Sequence, residues 1–279
     1  MSVDTIANKG LEIKPRRSSR YPAEYLTDTD FADDIALISE SLVNAQSLLQ
    51  SLEQASNCVG LYLNETKTEF VNICTSESDF IIKTLNNTLL KMVSDYVYLG
   101  SYISSSEKDF LTRKGMAWSA CNAMHKIWKS NLSRAFKLNV FKAAIESILI
   151  YGSETWTLSK KLEKRLDGTY TRLLMRVQNL SWKHHPTKQQ YQNNPPVSSI
   201  VKARRFRFAG HCCRAENEII TTLLLWKPPS QSRRGRKLSY PDVISKDTGI
   251  QQENLCRAMM DRELWRDIVT SIVSTKVEQ

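Results

Sequence analysis

The chain has 279 residues, 41% of them hydrophobic and 24% charged, which excludes a disordered tail and allows one large domain or two modest ones. Lysine and arginine outnumber aspartate and glutamate by 39 to 29, and the net charge of +10 makes an anionic partner such as nucleic acid the first expectation. The excess is regional, since residues 110–240 carry 25 basic and 6 acidic side chains, net +19, while the remainder is net acidic.

In chain order, residues 1–22 read as a loop or frayed start around Pro15, Arg16-Arg17 and Ser18-Ser19. Tyr25 to Leu37 then gives two short apolar stretches around Asp33-Asp34, a hairpin whose tip presents two carboxylates. Ala45, Leu48, Leu49, Leu52, Ala55 and Val59 fall at helical spacing, with Gly60 where a C-terminal cap belongs. Leu61 to Ile73 reads as two strand pieces around the turn 64–67, and Tyr96 to Ile103 as a strand pair around Gly100. From about Lys108 the period becomes 3.6. Met116, Ala120, Ala123 and Ile127 form one stripe, Val140, Phe141, Ala144 and Ile148 the next, and Leu166, Tyr170, Leu173, Leu174 and Val177 a third. Pro186, Pro195 and Pro196 mark a linker, a second helical unit begins near Val201, and Lys227 to Pro241 is turn-rich. A final helix runs from about Gln252 to Val273.

The N-terminus lacks the basic-then-apolar pattern of a secretory leader, and runs such as Ile148-Leu149-Ile150 are far too short to span a bilayer. Cysteines 58, 74, 121, 212, 213 and 256 contain no C-x-x-C pair and read mostly as core residues of a protein in a reducing compartment. A nuclear or cytoplasmic location without membrane insertion is the expectation. The six tryptophans, at 118, 128, 156, 182, 226 and 265, read as core anchors. His184-His185 and His211-Cys212-Cys213 supply zinc-ligand types, but adjacent ligands do not match the gaps of zinc knuckles.

Phe31-Ala32-Asp33-Asp34 is the sharpest chemical signal, because adjacent carboxylates at a hairpin tip can hold Mg²⁺ and let it bridge substrate phosphates. A solvated polar turn is the alternative for a bare Asp-Asp pair. Arg204, Arg205 and Arg207 beside Phe206 and Phe208 combine phosphate-binding charge with aromatic faces, and Arg233, Arg234, Arg236 and Lys237 add a second basic cluster. That cluster could equally be a solvated loop or a nuclear import signal.

Read together, the flanks carry a resemblance. Leu26 to Ser39, containing Phe31-Ala32-Asp33-Asp34, then Gly60-Leu61-Tyr62-Leu63-Asn64 with Lys67-Thr68-Glu69, then Tyr98-Leu99-Gly100-Ser101, resemble in order and spacing the palm motifs of non-LTR retrotransposon reverse transcriptases, LINE-type elements and RTE-like groups in particular. Lys126-Ile127-Trp128, Leu149 to Trp156 and Leu162 to Leu174 look like their thumb. Arg205 to His211, Leu225-Trp226 and Arg233-Arg234-Gly235-Arg236 look like their C-terminal extension.

The resemblance implies an α+β chain, with a partial palm (antiparallel hairpin plus helix) over residues 1–106, a mainly helical thumb over 107–182 and a basic C-terminal extension over 183–279. It implies templated nucleotide addition by two metal ions on an RNA template and DNA primer, without a small-molecule cofactor. Asp33 and Asp34 would be catalytic metal ligands, Lys67 would sit near the triphosphate, and Tyr98 and Gly100 would belong to the turn that grips the primer end. The family's site takes a further Asp from an upstream strand. Before Tyr25 this sequence offers Asp4, Glu12 and Glu24, none in an apolar strand context. A fragment that binds Mg²⁺ weakly and does not polymerise alone is the expectation, with a stand-alone nucleic-acid-binding protein as the alternative. The palm piece is expected to expose apolar faces and to be the least stable part.

Overall fold

The computed structural model describes residues 8–73, 81–180, 195–215, 217–227 and 238–274. It is α+β and mainly helical, with small sheets, and divides into two compact units, Met1–Tyr96 and Val97–Gln279.

Within the first unit, β1 (Leu11–Lys14) pairs antiparallel with β2 (Glu24–Leu26), and β3 (Asp28–Phe31) with β4 (Asp34–Leu37). A strand at residues 11–14 departs from the expected loop. Four residues are too few to register as a period, yet Ile13 is buried while its neighbours are not, as alternation on a strand requires. Glu12 on β1 and Glu24 on β2 therefore do lie on strands. Helix α1 (Leu42–Cys58) starts where the Ser41 hydroxyl accepts the Asn44 N–H. It ends as the spacing predicts. Gly60, at φ 77°, donates to Asn57 O (3.2 Å), and Leu61 donates to Ser56 O (2.9 Å), the paired hydrogen bonds of a Schellman cap.

The stretch 61–73 supplies one strand rather than two, β5 (Glu69–Phe70), parallel to β6 (Lys91–Met92). Side chains do the remaining work there. Gln46 of α1 bonds both main-chain groups of Lys83 (2.6 and 2.8 Å), and buried Glu53 accepts the Leu85 N–H (2.9 Å). Glu65 accepts from Thr84 (2.9 Å), Asn86 (3.0 Å) and Thr88 (2.7 Å). Those three donors, Thr88 foremost, hold the Glu65 carboxyl below its ordinary pKa. A depressed folded-state pKa gives a contribution present above the ordinary carboxylate range and lost as pH falls through the folded value. Amides of residues 83–89 should thus exchange faster as pH drops below the ordinary carboxylate range, after correction for intrinsic exchange. Glu65→Gln should abolish that dependence, and an unchanged profile in the variant would refute the assignment.

The buried core of this unit is small. Leu49, Ile82 and Leu90 anchor it, whereas Phe31, Ile35, Val59, Leu61, Tyr62 and Met92 stay exposed, in line with the exposed apolar faces expected of this region.

The second unit opens with β7 (Val97–Tyr98) and β8 (Ser101–Tyr102), a hairpin closed by Leu99 (φ 49°) and Gly100 (φ 80°), the two positive φ values of a type I′ turn. Helices follow: α2 (Ser106–Ala123), α3 (His125–Lys129), α4 (Arg134–Val140), a π-helical turn (Phe141–Glu146), α5 (Ser147–Leu149) and α6 (Lys160–Val177). The buried face of α2 is Phe110, Ala117 and Cys121, one residue off the expected stripe, so Met116 and Ala123 are exposed. Through the π turn the fully buried stripe is Phe141, Ile145 and Leu149, because wider turns carry every fourth residue to the same side. The stripe of α6 is as the spacing predicts, with Leu166, Tyr170, Leu173, Leu174 and Val177 buried.

Helix α7 (Val197–Cys213) begins after Pro196, four residues before the expected start, and α8 is Glu218–Leu225. Within the expected turn-rich stretch, Ser239 and Asp242 form a capping box that opens α9 (Tyr240–Thr248). The expected final helix is two, α10 (Gln252–Met260) and α11 (Arg262–Ser274). Asp261 stands outside the helical region at ψ 107°, and its side chain caps the Glu263 and Leu264 N–H groups at 3.0 Å each.

Among the described residues of this unit two apolar cores result. One gathers residues of α2 to α6 with Trp128 and Trp156, and the other gathers α8 to α11 around Phe206, Met259 and Trp265. Helix α7 serves both, giving Val197 and Val201 to the first and Ala203, Phe206 and Ala209 to the second. Trp118 and Trp226 are partly buried, and Trp182 lies outside the described residues. Of the described cysteines, Cys58 departs from the expected core placement and is exposed. Among the described residues no helix is long and apolar enough to cross a membrane.

Candidate functional site

Asp33 and Asp34 sit where the sequence puts them, at the turn of β3 and β4, in register Phe31↔Asp34, with both side chains exposed. Ala32 takes φ 56° to close that turn, a left-handed conformation that costs a non-glycine residue about 1 kcal/mol. Among the described residues, no group of three or more His, Cys, Asp or Glu converges in a way that could hold a metal ion. Mg²⁺ takes one or two carboxylates together with water and substrate phosphate oxygens, so Asp33 and Asp34 supply at most part of such an oxygen set.

Lys67 lies exposed in the turn 64–67, where its N–H donates to Asn64 O (3.1 Å) and Asn64 Oδ1 (3.2 Å).

In the second unit the Tyr98-Gly100 turn is held from beneath by Arg113 and Asp109, which no sequence motif singled out, together with Tyr151 and Trp156 of the 149–156 motif. The Arg113 guanidinium donates to Gly100 O. It also stacks 4.4 Å from the Tyr151 ring centroid. The Tyr151 hydroxyl donates to Leu99 O at 3.2 Å. Arg113 is in turn oriented by Asp109, 3.7 Å away and buried, whose other oxygen accepts the Trp156 indole N–H at 2.8 Å. The 3.7 Å separation is too long for a hydrogen bond, so among the described residues Asp109 Oδ1 and Arg113 Nε are buried without a hydrogen-bond partner, and the Trp156 indole N–H satisfies the other carboxylate oxygen. Nothing local in the sequence marks Arg113, one basic residue in a helix of mixed polarity.

The expected basic-aromatic patch on α7 is largely turned inward. Arg205 is 1% exposed, donates to Trp156 O and faces Asp247 at 3.8 Å. Burial presses its pKa down, opposed by Tyr240, Asp247 and Glu163. Phe206 is fully buried, edge-on to Trp265. Arg204 donates to Ile150 O (2.9 Å) and lies 3.7 Å from Glu154, and Lys202 meets Glu163 at 2.7 Å. Arg207 and Phe208 face solvent. The apolar side of a helix lodged between two cores claims Arg205 and Phe206, and the α7 charges near the cores are neutralised internally. Arg233, Arg234, Arg236 and Lys237 lie outside the described residues, as do His184 and His185.

Exposed cations do occur elsewhere in this unit, at Lys126 and Lys129 of α3 and at Lys160, Lys161, Lys164 and Arg176 of α6. On α6, Lys160, Lys161 and Lys164 lie away from the buried Leu166 and Leu173, whereas Arg176 lies one turn from Leu173 beside the buried face.

Among curated proteins, the chain is similar to one of Caenorhabditis elegans named as an uncharacterized transposon-derived protein, with 29% identity over 216 residues covering 73% of this chain and 77% of the relative. No protein-family model matches the chain, and no solved structure matches it. The similarity supports a transposable-element origin for this chain.

Proposed function

We propose that the chain is the C-terminal part of a non-LTR retrotransposon reverse transcriptase, and that the activity held by these residues is binding of template and primer rather than nucleotide addition. The β3–β4 hairpin carries this reading, since it places Phe31-Ala32-Asp33-Asp34 at a tight turn with both carboxylates outward. The transposon-derived relative supports the same origin. Exposed lysines and arginines on α3 and α6 supply the phosphate contacts, and the Arg113-held turn at Leu99-Gly100 supplies a rigid main-chain edge against which a primer end can rest.

Primer extension on an RNA template with Mg²⁺ and deoxynucleotides, run beside an Asp33→Ala, Asp34→Ala variant, tests the reading together with duplex binding at several salt concentrations. The expected outcome is no extension, with binding that weakens steeply as salt rises. Extension abolished in the double variant would overturn the binding-only assignment. Absence of binding at low salt would overturn the role given to α3 and α6.

A further inference from the structure

Helix α7 ends in Cys212-Cys213, and α10 carries Cys256. The Sγ atoms of Cys213 and Cys256 lie 3.2 Å apart, and Cys213 Sγ also faces Cys256 O at 3.7 Å. Cys213 is 4% exposed, and Cys256 is half-buried and reachable from solvent. We propose that Cys213 and Cys256 are a reversible thiol–disulfide pair that locks α7 to α10 when a small disulfide oxidant is present.

The chemistry follows from the two exposures. The Cys256 thiolate attacks one sulfur of a low-molecular-weight disulfide and expels the other half as a thiolate, which takes up a proton. The Cys213 thiol, deprotonated in its turn, attacks the Cys256 sulfur of the mixed disulfide and displaces the second small thiol. The protein gives up two electrons and two protons, and the oxidant leaves as two thiols. Burial and the neighbouring Cys256 push the Cys213 thiol up, so its thiolate is scarce and the resolving attack is the slower of the two steps.

Cys212 does not compete for the role. Adjacent residues on a helix point to different sides, so its side chain cannot meet that of Cys213 without unwinding α7. The sulfur contact needs little movement by comparison, and it joins helices already packed in one core.

The closed ring would span residues 213–256 and tie both ends of the stretch that contains Arg233 to Lys237 in sequence. Cross-linking across a stretch of this length raises the melting midpoint of a domain of this size by about 5–10 °C.

The full chain treated with oxidised glutathione and then digested without reduction tests the proposal. The expected product is a peptide pair joined through Cys213 and Cys256, reversed by dithiothreitol, with the midpoint rise absent in Cys256→Ser and retained in Cys212→Ala. A persistent glutathione adduct on Cys256, a bridge to another cysteine, or unmodified thiols would each overturn it. Peptide mapping on the unsubstituted chain decides the matter even if a variant fails to fold.

Discussion

Arg205→Ala is expected to destabilise the second unit by about 2–4 kcal/mol, because it leaves a cavity in place of a fully buried side chain and strands the Trp156 carbonyl. Asp247 would lose its nearer guanidinium and keep Lys202 at 3.9 Å, and as it is 22% exposed it retains some water. Arg205→Met should therefore be milder, since it fills the space without leaving a cavity. Arg207→Ala should change the unfolding free energy by no more than about 0.5 kcal/mol while weakening RNA binding, as its side chain faces solvent. Urea melts of the three variants beside binding curves separate these effects. Were Arg205→Ala to fold normally and lose binding alone, the interior placement of Arg205 would be refuted.

Gly210→Ala is the second large effect, and its sign runs against helix propensity. Within a helix this change normally stabilises by about 1 kcal/mol. At Gly210 a Cβ would come within 2.5 Å of the Trp265 ring and 2.9 Å of Arg214 Nη1. Trp265 has little room to yield, being buried, edge-on to Phe206 and bound through its indole N–H to Phe206 O at 2.7 Å. The overpacking and the threatened hydrogen bond together outweigh the propensity gain, for a net loss of about 2–4 kcal/mol. Gly168→Ala on α6, where a Cβ meets nothing within 4 Å, should instead stabilise by about 0.5–1 kcal/mol. Thermal melts that move the same way for both substitutions would contradict the close packing of α7 against α11.

Where the physics is local, the sequence is a sound guide. The Gly60 cap, the hairpins at Asp33 and Gly100, and the stripe of α6 follow from turn chemistry and period alone. What failed required knowledge of partners. A run such as Arg204-Arg205-Phe206-Arg207 does not say which side of its helix is covered, and here two cores cover the side bearing Arg205 and Phe206. The break at Asp261 was hidden because apolar residues continue on both sides of it, while the π turn moved the buried stripe from Ala144 and Ile148 to Ile145 and Leu149. The candidate site was legible as a set of exposed carboxylates and a turn. The Asp109, Arg113 and Tyr151 assembly beneath that turn was not, since Tyr151 lies 52 residues in sequence from the carbonyl it binds.

Helix α7 is a beam shared by two roofs. Neither apolar core of the second unit keeps its full lining once that helix unwinds, since Val201 faces one and Phe206 the other little more than a turn later. The helix thus makes the two cores a single cooperative block, and a polypeptide cut before Val197 would lose wall from the first core as surely as it lost the second.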